Sequence, residues 1–199
     1  MRFAYMVLLS VGLMIPASLA VADEKKQEKQ MDHQAMMEMY KKLGTPGEAH
    51  KQLASLAGKW NTKTKEWMEP NKPPMESTGT CEEKVLLEGR FLQQECTGDM
   101  MGQPFTGIGV TGYDNYTKKY VSTWMSSMGT GIFVMEGTGS ADGKTVTLKG
   151  GHDDPTQGHM NHRAVWKFVD ANTQVFEMYT IGKEGKETKM MEITYTRKT

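Results

Sequence analysis

Two periods divide the chain. Between residues 45 and 57 apolar side chains recur at helical spacing. Leu53, Leu56 and Ala57 share a face, Thr45 fits an N-cap with Pro46 at the first helical position, and Gly58 is a good terminator. This predicts a helix over 46–57. From Gly58 onward the period shortens: runs rich in Thr, Val and aromatic residues alternate with turn signals at Glu88-Gly89, Asp114-Asn115, Gly129-Thr130-Gly131, Asp142-Gly143, Ala171-Asn172 and Glu184-Gly185. The pattern predicts strands over 58–68, 75–87, 90–99, 104–113, 119–128, 131–139, 144–151, 161–169, 173–181 and 187–197. With no helix between any pair, parallel crossovers are excluded and an up-and-down antiparallel meander remains. About ten such strands would leave vulnerable edges unless they closed. The expected fold class is all-β, a meander closing into a barrel behind a short N-terminal helix.

Upstream of the helix the pattern changes again. Arg2, the apolar run from Phe3 to Ile15 and the small residues of Ala20-Val21-Ala22 read as a secretory signal cut before Asp23. An uncleaved anchor is the rival reading, since the apolar stretch approaches the roughly 20 residues that span a bilayer. Pro16 and the Ala-rich end favour cleavage. No later segment is apolar for long enough to cross a membrane, so the expectation is a periplasmic or secreted chain with no membrane contact after the cut. Asp23 to Gln30 is almost wholly charged or amide, and Met31 to Leu43 is helical in composition. The expected organisation is a signal over 1–22, a polar and Met-rich tether or helix over 23–44, and one barrel domain over 45–199.

Charge removes one class of partner. Lys+Arg and Asp+Glu are both 24, and no basic face emerges, so nucleic acid is not expected. The two cysteines, in an oxidising compartment, favour one disulfide over a metal knuckle or redox centre. A two-residue loop at Glu88-Gly89 pairs residues whose numbers sum to 177, which sets Cys81 opposite Cys96. Directly opposed Cα atoms lie about 4.5 to 5.5 Å apart, within disulfide range. The same register opposes Glu82 and Glu95, a like-charge pair, and the competing reading is two separate small core residues.

Gly58-Lys59-Trp60, where the helix meets the first strand, resembles the glycine-x-tryptophan signature of lipocalins and other calycins. That resemblance implies a tryptophan at the closed end of the barrel, covered by a basic side chain from near the last strand. Arg197 is placed to cover Trp60, with a cation–π contact as the physical reason. A wider resemblance covers most of the barrel domain: Thr45-Pro46, His50, Leu53, Leu56-Ala57-Gly58-x-Trp60, Trp67, Gly89-Arg90-Phe91-Leu92, Met100-Met101-Gly102-x-Pro104-Phe105-x-Gly107, Gly112-Tyr113-Asp114-Asn115, Ser122-Thr123-Trp124, and near the end Glu177-Met178-Tyr179, Gly185-Lys186-Glu187 and Met191-Glu192-Ile193-x-Tyr195-x-Arg197. This is similar to the bacterial domain of unknown function 1579 family. It implies a calycin-like barrel and brings no catalytic residues, ligand or partner with it. Ser126 stands where the resemblance implies an acidic residue, which weakens a charged role there.

Several strings are tested against chemistry. Gly107-Ile108-Gly109-Val110-Thr111-Gly112 spells a dinucleotide fingerprint, but a turn follows it where a phosphate-binding helix would be needed, so glycines that let a strand bend or pack closely are the better reading. Asn115-Tyr116-Thr117 is a glycosylation sequon read as a turn. His152-Asp153-Asp154 and His159-x-x-His162 flank a turn, yet fit no zinc spacing, and residues 159 and 162 would face opposite ways on a strand. His33, Met36 and Met37 stand at i, i+3 and i+4 in a Met-rich segment and form a candidate Cu(I) site; the alternative is an apolar Met stripe that docks on the barrel.

The functional expectation is a non-enzymatic barrel enclosing a small apolar ligand, with Met125, Met128, Phe133 and Trp166 as candidate lining and entry opposite Trp60. Periplasmic copper handling through His33, Met36 and Met37 is one alternative, and a haem-binding or enzymatic barrel is another. No nucleophile-elbow string occurs and neither cysteine has a placed base, so no catalytic residue is nominated. The sequence names no cofactor.

Overall fold

In a computed structural model of the chain the described residues are 32–70, 72–100 and 102–199. The expected signal over 1–22 and the tether up to Met31 lie outside them. Two compact units divide between Gly44 and Thr45. In the first, residues 32–43 are helical (α1). No helix among the described residues is long and apolar enough to cross a membrane.

The second unit holds α2 (Glu48–Ser55) and, among the described residues, ten strands: β1 Gly58–Glu66, β2 Met75–Leu86, β3 Phe91–Met100, β4 Gln103–Asp114, β5 Lys119–Ser126, β6 Phe133–Gly139, β7 Thr145–Asp154, β8 Gly158–Asp170, β9 Thr173–Ile181 and β10 Glu187–Arg197. Each pairs antiparallel with its neighbours in sequence, and β10 returns to β1, so the meander is a closed barrel. Closure gives every strand two partners and leaves no free edge for association. β7 and β8 run further than the pattern predicts because their turn is self-contained. One carboxylate oxygen of Asp154 accepts from the Thr156 and Gln157 N–H groups and the Thr156 hydroxyl, and Gly158 takes a positive φ of 76°.

α2 is shorter than predicted and begins at Glu48, where a cap from His50 replaces one from Thr45. The Gly47 N–H donates to Nδ1 of His50 at 3.0 Å, while the Thr45 carbonyl accepts from the Asn115 side chain at 2.9 Å. Leu53 on its inner face and Leu56 at its C-cap are buried in one cluster with Leu92, Tyr120, Val146 and Trp166. Full burial of one such leucine contributes about 2 kcal/mol. Gln52 ties the helix across the barrel end, donating to the Gly143 carbonyl in the β6–β7 turn and accepting from the Tyr120 hydroxyl. This end is therefore plugged.

The predicted contact between Trp60 and Arg197 is present. The guanidinium carbon lies 4.2 Å from the ring centroid. Arg197 also donates to the carbonyls of Ser55, Ala57 and Ala171, so it satisfies carbonyls at the C-terminal end of α2 that the helix cannot satisfy itself. The Trp60 indole N–H donates to the Leu56 carbonyl at 2.9 Å. Gly58 has φ 142°, and a Cβ there would collide with the Arg197 guanidinium, which explains the glycine of the Gly-x-Trp string. The β2–β3 register sets Cys81 opposite Cys96 and Glu82 opposite Glu95. A disulfide joins Cys81 and Cys96.

Candidate functional site

Inward and outward side chains alternate along each strand, and the inward ones differ between the two halves of the barrel. Near α2 they are large and apolar and fill the interior. Beyond Trp60, β1 sends inward Thr62, Thr64 and Glu66, all smaller than an aromatic ring, and they line a cavity of about 200 Å³. Its apolar wall includes Phe105, Trp124, Phe133, Met135, Phe176, Met178, Met191 and Ile193; Gln94, Ser122 and Tyr195 supply polar atoms.

Trp124 owes its position to β4. Gly107 and Gly109 present no side chain to the interior, a Cβ on Gly107 would fall on the Trp124 ring, and one on Gly109 would come within 2.9 Å of it. The indole lies in that trough and stacks on Phe105, with centroids 6.3 Å apart. The glycine string thus accommodates an aromatic wall.

Beneath the cavity sits a buried polar network. Glu83 is 2% exposed. One of its carboxylate oxygens accepts from Gln94 Nε2 at 2.7 Å and from Gln174 Nε2 at 3.1 Å; the other has no partner among the described residues. Gln174 accepts in turn from the Trp166 indole N–H at 2.7 Å. Burial raises the Glu83 carboxyl from the usual range to about 7, against the opposing pull of the two amides and Arg197. Burial also pushes the Tyr195 hydroxyl up, and the Glu83 charge adds to it. At the other end of the cavity, on the last residue of β1, burial raises the Glu66 carboxyl.

Of the four residues expected as lining, the structure brings Phe133 to the cavity and not the others. Met125 and Met128 are 38% and 54% exposed. Trp124 faces inward, so Met125 must face outward, and Met128 falls beyond the end of β5. Trp166 lies in the filled half, held by Gln174. His33, Met36 and Met37 share one face of α1, and all three are exposed. The other histidines separate by strand face, as parity demands. His159 pairs with Asp153 at 2.8 Å on the exposed surface, whereas His162 is buried and lies within 3.2 Å of His152. Burial first, then the neighbouring His152, lowers the His162 pKa. No cluster of three or more His, Cys, Asp or Glu side chains that could hold a metal occurs among the described residues.

Sequence reasoning missed Glu66, Glu83, Gln94, Trp124 and Gln174. The signal was strand parity. Counting in twos from Cys81 and Cys96 puts Glu83 and Gln94 on the inner face, and counting from Trp60 puts Glu66 there.

The family model described as "Protein of unknown function (DUF1579)" matches residues 45–197, the whole barrel. The chain belongs to this family. No curated protein matches the sequence. Among solved structures, the barrel is similar to Rv2717c from M. tuberculosis, with a TM-score of 0.58 and 14% identity over 78% of this chain and 100% of that one. It is also similar to the S-type phycobiliprotein lyase CPES from Guillardia theta, with a TM-score of 0.52 and 12% identity over 77% of this chain and 99% of that one. At these identities the likeness shows a shared fold. The closed ten-strand barrel of this chain therefore resembles calycin-like folds in architecture.

Proposed function

We propose that this DUF1579 protein is a non-enzymatic carrier or sensor that holds one small, largely apolar molecule inside its barrel. The observation that carries this reading is the contrast between the two halves of the interior. One is packed solid, while the other keeps a cavity of about 200 Å³ walled by Phe105, Trp124, Phe133 and Phe176. A dry apolar cavity of about 150 Å³ accommodates benzene, so this one suits a slightly larger molecule. A tetrapyrrole is far too large for it, and neither inward histidine lines it, so haem is not favoured. The protein acts after export, in an oxidising compartment. Support for this is the signal-like start and the Cys81–Cys96 disulfide.

Native mass spectrometry of the protein purified from its own cells tests both parts. The expected spectrum shows a chain beginning at Asp23 that carries a small organic adduct, lost on denaturation. An adduct-free protein that takes up no small apolar molecule would overturn the binding reading, and a retained Met1 in secreted material would overturn the cleavage.

A further inference from the structure

The charges around the cavity are of one sign. Its lining includes Glu66 and Asp99 and, among the described residues, no Lys, Arg or His. Asp99 is exposed and accepts from the Gly102 N–H at 2.7 Å, so it serves a turn. Glu66 is different. It shares the inner face with Thr62 and Thr64, and its carboxyl has no hydrogen-bond or ion-pair partner among the described residues. The nearest lysine in sequence, Lys65, points to the outer face, 4.0 Å from Glu192. A carboxylate partly withdrawn from water with nothing to pair it is unfavourable unless something else supplies the opposite charge. Across the cavity stand the faces and edges of Trp124 and Phe105, surfaces that attract a cation through the ring quadrupole.

We propose that the occupant of the barrel is a small hydrophobic amine, bound with its ammonium group at Glu66 near the open end of β1 and its apolar body among Trp124, Phe133 and Phe176. This rests on the binding reading above and adds the ligand's charge. A cation pairs Glu66 as it enters. An anion such as a short fatty acid brings another negative charge toward Glu66 and finds no cationic partner in the lining. A neutral molecule fills the cavity but leaves Glu66 unpaired. The volume of about 200 Å³ limits the ligand to roughly eight non-hydrogen atoms, on the scale set by benzene in about 150 Å³.

Isothermal titration of the purified protein with hexylamine, hexanol and hexanoate at pH 7 and low salt separates the two layers of the proposal. Hexylamine is expected to bind about fivefold more tightly than hexanol, the size of a partly exposed ion pair in favourable geometry, and hexanoate more weakly than either. Glu66→Gln is expected to abolish the advantage of the amine over the alcohol, and 0.5 M salt to shrink it in the wild-type protein. Equal binding of amine and alcohol by the wild-type protein, or an advantage that survives Glu66→Gln, would overturn the cationic ligand and leave the binding barrel standing. Binding of none of the three would overturn both.

Discussion

Arg197, from the last strand, lies with its guanidinium 4.2 Å over the ring of Trp60 on the first, and one nitrogen donates to the Ala57 carbonyl at 2.8 Å. One side chain thus joins the two strands that close the barrel and the end of the helix that plugs it. The cavity occupies the opposite half of the interior.

Arg197→Ala removes a cation–π contact and three hydrogen bonds, and is expected to lower unfolding stability by about 2–4 kcal/mol. Arg197→Lys should recover only a minor part, because an ammonium cannot both stack flat on Trp60 and reach three divergent carbonyls. Urea midpoints for the two variants check this; equal stability of the lysine variant and wild type would contradict it.

Glu83 makes the protein less stable in alkali. Its carboxyl is raised from 4.5 to about 7. The folded state therefore holds the proton more tightly than the unfolded one. The favourable contribution is fully present below 4.5 and is lost as pH rises through about 7, a difference of roughly 3 kcal/mol. Glu83→Gln, which resembles the protonated acid, is expected to raise the melting temperature at pH 8 and change it little at pH 4.5.

Glu177 acts with the opposite sign. Burial raises its pKa, but the hydrogen bonds and charges of Lys167 and Lys189 outweigh this and hold it at about 2. Its contribution is fully present above 4.5 and is lost as pH falls through about 2. With Glu83 the result is a stability maximum on the mildly acidic side. A melting-temperature profile should have a shallower acid limb in Glu177→Gln, where Asp114, Asp142, Asp154 and Glu187 are also held low, and a shallower alkaline limb in Glu83→Gln.

Much of the architecture was legible because it rests on local rules. Turn residues marked the hairpins and loop arithmetic set Cys81 opposite Cys96, while the contact of Trp60 with Arg197 came from what the Gly-x-Trp resemblance implies. The cavity was not legible in the same way. Met125 and Trp124 are neighbours of similar apolarity, and it takes the parity set by buried Tyr120 together with the trough at Gly107 and Gly109 to turn Trp124 inward. Glu83 reads as one of several surface acids until its parity with Cys81 is counted. His50 in the capping role and the Asp154-centred turn depend on side-chain hydrogen bonds that hydropathy does not reveal.

The disulfide spans 15 residues, and loop-closure entropy gives it about 3 kcal/mol. A Cys81→Ser, Cys96→Ser double variant should show that loss in denaturant, and reductant should destabilise wild type but not the variant. Reductant without effect on wild type would contradict it.

Gly107→Ala places a methyl group where the Trp124 indole now lies. The ring is expected to tilt into the cavity, blue-shifting or quenching its fluorescence and weakening hexylamine uptake at least fivefold. Unchanged uptake would separate Trp124 from the binding wall.

Binding inside the barrel is read out by NMR of methyl-labelled methionines during titration with hexylamine. The methyls of Met135, Met178 and Met191 line the cavity, while Met125 and Met128 are exposed. Saturable shifts are expected at the first three and none at the last two, with the shifts lost in Thr64→Phe, which fills the space. Shifts confined to Met125 and Met128, or none at any methionine, would contradict it.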